Sequence, residues 1–210
     1  MEKRQQAIKI YVAIGALLGW FAIASQFAIS VSIRTISFTE FLFRFIGYFT
    51  ITTNTLVALG FTFFFLRSDS KFSRFLTRPA SVFSIAIFIA IAGLIYNFVL
   101  RSLWKPQGFQ LLIDELLHTV QPLLFFLFWV LFIPKDGLKW GDIFKWILYP
   151  VIYIIYVIIF GAVTQFYPYP FADVGKLGYP RALVNAAGVL AAFILFALLL
   201  LAVVKRRPAK

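Results

Sequence analysis

Few groups in this chain can move a proton near neutral pH, and they gather in one stretch. His118 is the only histidine in 210 residues, and imidazole is the side chain whose ordinary pKa suits such a task. Asp114 and Glu115 stand four and three residues before it, so either carboxylate can share its helical face, fix the ring tautomer and stabilise the charged form. Pro122 stands four residues after it. A proline has no N–H, so the carbonyl of His118 loses its helical partner and a kink is predicted there. The chemical reading is a general base backed by a carboxylate. The structural reading is a histidine that bonds a neighbouring helix, with two wet carboxylates nearby.

The nucleophile for such a base cannot be a thiolate, because the chain has no cysteine. Thr50, Thr53, Asn54 and Val57 fall at i, i+3, i+4 and i+7, which draws one polar stripe down a helix. Thr50 and His118 form a candidate nucleophile and base pair, with Asn54 or Asn97 able to donate to a developing oxyanion. The structural alternative is that the threonines bond their own helix backbone and pack between helices. Arg101, Gln121, Asp173 and Asn185 complete the set of supporting or substrate-binding candidates. Asp173 belongs to an aromatic, proline-stiffened run from Tyr167 to Gly175 that cannot be ordinary helix; it is predicted to cap a polar chamber or to form a rigid interfacial loop.

Other chemistries have no signature here. There is no nucleophile elbow, phosphate loop, dinucleotide glycine pattern or His-Glu-x-x-His. One histidine cannot ligate haem from two sides, and no metal or cofactor is expected.

These residues need elements to hold them, and composition says which. With 62% hydrophobic, 20% aromatic and 13% charged residues, the chain carries more apolar surface than a soluble domain of its length can bury. It reads as an all-α polytopic membrane protein. A net charge of +12 raises the question of nucleic acid, but the basic residues sit in short clusters between apolar runs and read as topology signals. No nucleic-acid partner is expected.

A helix needs about 20 apolar residues to cross a hydrocarbon core of roughly 30 Å. Six runs qualify, at 10–33, 45–66, 80–100, 111–133, 146–163 and 182–204, and they are predicted to form a single domain, one bundle of six. The first run is too long for a signal-peptide core and reads as a retained helix. Fourteen of the 20 lysines and arginines flank one set of span ends and six the other. The positive-inside rule then predicts both termini in the cytoplasm, in a plasma membrane such as a bacterial cytoplasmic membrane. In that orientation Thr50, Thr53, Asn54, Asn97, Arg101, His118, Gln121 and Asn185 all fall in outer halves of spans, while the inner halves are nearly pure hydrocarbon. Intramembrane polar groups of this kind usually face the bundle interior.

The ordered landmarks Tyr48-Phe49-Thr50, the segment from His118 to Pro122, and Tyr169-Pro170-Phe171 together resemble the androgen-induced protein family of integral-membrane threonine hydrolases. The runs from Thr50 to Val57 and from Trp129 to Pro170 look closer still to bacterial six-pass relatives of that family. The resemblance implies cleavage of a fatty-acyl ester such as a fatty acid ester of a hydroxy fatty acid, with the nucleophile carried onto Thr50 and the histidine onto His118. The chain departs from the family pattern just after the nucleophile, where Thr53 and Asn54 replace an expected acidic residue. The partners so implied are a lipid or fatty-acyl ester substrate and the surrounding membrane lipids. A transporter or ligand-binding protein with a proton-linked polar chamber is the competing reading.

Overall fold

The computed structural model describes residues 2–206, and among them every regular element is a helix. Six helices among the described residues are long and apolar enough to cross a membrane. The fold is thus the all-α, six-span type that the hydropathy predicts.

The chain packs as two compact units, Met1–Asp136 and Gly137–Lys210. The first holds α1 (Glu2–Ser32), α2 (Phe38–Ile46), α3 (Phe49–Leu66), α4 (Lys71–Thr77), α5 (Pro79–Ile95), α6 (Gly108–Glu115) and α7 (Gln121–Phe132). Its spans close a ring, with α3 lying against α1 and α5, and α7 against α5 and α1. α5 is the most enclosed of the six spans.

The floor of this unit is aromatic. Phe61 of α3 is fully buried, with Phe125 and Phe128 of α7 at ring-centroid distances of 5.1 and 5.4 Å and Tyr11 of α1 at 6.3 Å. Tilted and edge-on arrangements of this kind suit the ring quadrupoles. Tyr11 also donates to the carbonyl of Leu124 at 2.7 Å, which pins α1 to α7. Phe61→Ala is expected to cost about 3–5 kcal/mol, since the three surrounding rings cannot all collapse into the space it leaves. Unfolding of the detergent-solubilised protein followed by tryptophan fluorescence will measure this, and a loss below about 1 kcal/mol would mean that the aromatic floor is not a determinant of stability.

Higher up, Ala22 of α1, Ile51 of α3, and Ile113, Leu116 and Leu117 form a second buried cluster, lined by Phe45 and Tyr48. It fixes the top of α3 beside the fourth span. Tyr48 is partly buried beside this cluster.

The span limits differ from the hydropathy runs in instructive places. α1 begins at Glu2 instead of 10, because the polar residues before Ile10 are good helix formers that hydropathy cannot see. The run predicted from 45 fuses two elements. α2 ends at Ile46, with the Gly47 amide bonding the carbonyls of Phe43 and Arg44 at 3.0 and 3.1 Å, and α3 starts afresh at Phe49. Ser37 caps α2 by accepting from the Glu40 amide at 3.2 Å, so this short helix has its own start signal.

The second unit holds α8 (Ile143–Trp146), α9 (Leu148–Thr164) and α10 (Val174–Lys205). The last span begins well before the predicted 182. It bends at Gly178, whose φ of 71° lies in the left-handed region open to glycine, two residues before Pro180 removes an amide donor. The proline-rich run is non-helical from Tyr167 to Asp173, apart from one 3-10 turn at Pro170–Ala172, while its last two residues, Val174 and Gly175, open α10. Tyr167 lies directly on Gly161, where its ring leaves no room for a Cβ.

Candidate functional site

The predicted kink before Pro122 is a register change. α6 runs into a five-residue π-turn, Leu116–Val120, where the Gln121 amide reaches back to the Leu116 carbonyl. α5 ends the same way, in a π-turn at Tyr96–Leu100, closed by the Arg101 amide on the Tyr96 carbonyl at 2.8 Å. Such turns are rare and recur at functional sites, because each inserts one residue and re-aims the side chains around it. The two π-turns pack together.

Pro122 explains one of them. The His118 carbonyl, denied a proline amide, accepts instead from Asn97 Nδ2 at 3.2 Å, and the same amide group bonds the Gly93 carbonyl at 2.8 Å. Gly93 permits this approach: a Cβ there would stand 3.0 Å from the His118 oxygen and 3.1 Å from Pro122. The Asn97 side chain therefore ties α5 to the fourth span at the histidine.

The imidazole lies flat on Tyr96, with ring centroids 3.9 Å apart and planes 17° from parallel. Its Nδ1 is 2.9 Å from the Asp114 carbonyl oxygen and 3.4 Å from Asp114 Oδ1. A carbonyl can only accept, so Nδ1 carries the proton in the neutral ring. Nε2 is then the basic nitrogen, and it has no hydrogen-bond partner among the described residues. The Asp114 carboxylate, itself buried, accepts a hydrogen bond from the Tyr96 hydroxyl through Oδ2.

Helical spacing left Asp114 and Glu115 equivalent, and the structure separates them. Glu115 is engaged by Arg101 through both oxygens, at 2.6 Å and 2.8 Å, and also accepts from Thr119 at 2.8 Å. Arg101 further bonds Asn97 Oδ1 at 3.0 Å. Only Asp114 is left to orient His118.

On the facing span, Thr50 is 8% exposed and its hydroxyl has no hydrogen-bond partner among the described residues. Thr55 and Thr62 on the same helix instead bond carbonyls one turn back, at 2.8 and 2.7 Å. One amide nitrogen, Asn54 Nδ2, bridges the carbonyls of Thr50 and Leu117 at 2.9 and 3.0 Å. Thr50 is thereby tied to the residue next to His118, although no hydrogen bond joins its hydroxyl to the imidazole. The same geometry corrects the oxyanion role considered for two amides: both hydrogens of Asn54 and both of Asn97 already bond carbonyls.

Thr53 and Gln121 are fully buried. Gln121 Nε2 donates to the Gly15 carbonyl at 2.8 Å, while Gln121 Oε1 and Asn54 Oδ1 are buried acceptors without a partner among the described residues. The two remaining candidates belong to the second unit and have local duties. Asp173 caps α10 by accepting from the Lys176 amide at 3.2 Å, and Asn185 bonds the Phe171 carbonyl at 2.8 Å.

Tyr96, Thr119 and Gly93 are members of the cluster that spacing arguments pass over. Only the position of Tyr96, next to Asn97 at the polar end of α5, hints at it in the sequence. Among the described residues no three His, Cys, Asp or Glu side chains gather as a metal site. Comparison with protein-family models, with curated proteins and with solved structures finds no match to this chain.

Proposed function

We propose that the protein is an intramembrane hydrolase of a lipid or acyl ester, with Thr50 as nucleophile and His118 as base. The observation that carries this reading is a histidine held by Nδ1 with Nε2 free, on a span tied through Asn54 to a buried threonine whose hydroxyl is unbonded. Nucleophile–base contacts are often open without substrate and close only around it.

In the proposed reaction Thr50 Oγ1 attacks the ester carbonyl as Nε2 takes its proton. The carbonyl oxygen becomes an oxyanion at the uncapped start of α3, where Tyr48 offers no side-chain cap. The Thr50 amide, in the first turn, bonds no backbone carbonyl among the described residues, and an amide so placed at a helix start favours negative charge. Collapse breaks the bond to the leaving alkoxide, which receives the proton from His118. Water, activated by the same Nε2, then releases the acid and restores Thr50. General base assistance of this kind contributes typically 10²–10⁴-fold.

The lysine and arginine distribution supports cytoplasmic termini and a site opening toward the outer leaflet of a plasma membrane. An ester could then enter sideways between helices. The likeness to androgen-induced-type threonine hydrolases supports the same assignment of Thr50 and His118.

The test is labelling by a fluorophosphonate probe in membranes. Wild-type protein should label, and Thr50→Ala and His118→Ala should not. Labelling undiminished in both variants would sink the assignment. A ligand-binding or transport role is the second reading, favoured by the unpartnered acceptors Asn54 Oδ1 and Gln121 Oε1, which suit a ligand that donates hydrogen bonds. Proton-coupled flux in vesicles that survives Thr50→Ala would favour it.

A further inference from the structure

Asp114 offers the imidazole two acceptors at Nδ1, and either one leaves Nε2 as the basic nitrogen. Its main-chain carbonyl is 2.9 Å from Nδ1, while its carboxylate Oδ1 is 3.4 Å away. A carboxylate free to rotate would swing away from Nδ1, or draw the imidazole out of its place. A carboxylate fixed by a donor on its other oxygen does neither. Tyr96 is that donor, through its hydroxyl on Oδ2.

The tyrosine ring performs a separate task. An imidazole turning about χ2 sweeps its edges out of its own plane, and a parallel ring 3.9 Å away blocks that sweep. The ring therefore cannot exchange Nδ1 for the opposite edge while Tyr96 is in place. Tyr96 is itself held: it is 4% exposed, sits in the π-turn closed by Arg101, and carries the Arg101 guanidinium 5.4 Å above its face. Without the extra residue of each π-turn the two rings would point along different faces of their helices.

We propose that Tyr96 is a positioning residue for His118, its hydroxyl fixing the Asp114 carboxylate and its ring locking the imidazole, so that the neutral histidine is held with Nδ1 protonated and Nε2 basic. The charged and titratable groups around this histidine are Asp114, Tyr96, Glu115 and Arg101. The consequence for turnover rests on the hydrolase reading; the consequence for the tautomer does not.

A single histidine makes the test direct, because protein labelled with nitrogen-15 histidine gives one imidazole spin system. Above the titration of the ring, the wild-type protein in detergent should show the Nδ1-protonated tautomer in one narrow set of signals. Tyr96→Phe keeps the ring and removes the hydroxyl, and should give a tautomer mixture; Tyr96→Leu removes both and should broaden the ring signals through flipping. Asp114→Asn should reproduce the mixture, and the Tyr96→Phe, Asp114→Asn double variant should add nothing further. Probe labelling should slow at least tenfold in Tyr96→Phe. A wild-type spectrum of the Nε2-protonated form overturns the proposal whether or not any variant folds, as does a Tyr96→Phe spectrum identical to wild type. Failure of the hydrolase reading shows itself separately, as absent labelling of the wild-type protein.

Discussion

Leucine in place of Gly19 is expected to destabilise the first unit by about 1–3 kcal/mol, the usual range for forcing methylenes into a filled interior. Gly15 and Gly19 stand one turn apart on α1, on the face buried against α3. Helices in lipid gain little from hydrophobic burial against one another, so small residues that let backbones approach supply much of the association. At Gly19 an added Cβ would lie 2.9 Å from Gln121 Nε2 and 3.0 Å from Ala58 Cβ, with Ala58 Cα at 3.5 Å. Neither neighbour has room to yield: Gln121 is fully buried and bonded to the Gly15 carbonyl, and Ala58 is fully buried on α3. Gly15 is as tightly enclosed, at 2.6 Å from the Phe61 ring. Alanine at 19 should have a smaller effect than leucine. Gln121 is three residues from His118, so the leucine variant should also alter the imidazole signals. Thermal unfolding in detergent measures the first effect, and equal midpoints for wild type and Gly19→Leu would show that α1 does not pack on α3 as described.

The six spans were legible because a membrane imposes one simple requirement, about 20 apolar residues satisfied within a helix. The ends were less so. Hydropathy marks where a chain leaves lipid and not where a helix stops, which is why Glu2 to Lys9 and the α2 to α3 break escaped it. Gly15 and Gly19 read as ordinary apolar filler until a partner helix is in view. Gly178 and Pro180 bend the last span without ending it, since helix can resume once a positive-φ residue has absorbed the change of direction.

At the site the sequence carried half of each interaction. Pro122 announced an unpaired His118 carbonyl, but the donor that fills it, Asn97, is 21 residues away on another span. Asp114 and Glu115 were tied by helical spacing, and the tie was broken by Arg101, 14 residues before Glu115. Asn54 looked like an oxyanion donor because an isolated amide has hydrogens to offer; the folded chain commits both to carbonyls. The π-turns were invisible for a different reason. A five-residue turn has the composition of the helix around it, and only the register between two packed spans reveals the inserted residue.

That register bears on the largest functional effect expected. His118→Gly should lower ester turnover by about 10²–10⁴-fold on the proposed mechanism, the usual contribution of a positioned base, and added imidazole should restore part of it. The ring that glycine removes lies in a slot with one flat wall, the Tyr96 face at 3.9 Å, and one fixed acceptor, the Asp114 carbonyl that receives Nδ1–H at 2.9 Å. Both belong to neighbouring residues and persist in the variant, so a free imidazole can stack and donate as the side chain did, presenting its second nitrogen to Thr50. Backbone release at glycine is limited, because the carbonyl of residue 118 stays bonded to Asn97. Thr50→Ala should be equally impaired and gain nothing from imidazole, since a base cannot replace a missing nucleophile. Hydrolysis of a fluorogenic fatty-acyl ester, with N-methylimidazole as a base of similar strength that has no N–H to donate to the Asp114 carbonyl, provides the readout. Full activity in His118→Gly without imidazole would remove histidine from the mechanism, and equal rescue of Thr50→Ala would show the added base acting on the ester by itself.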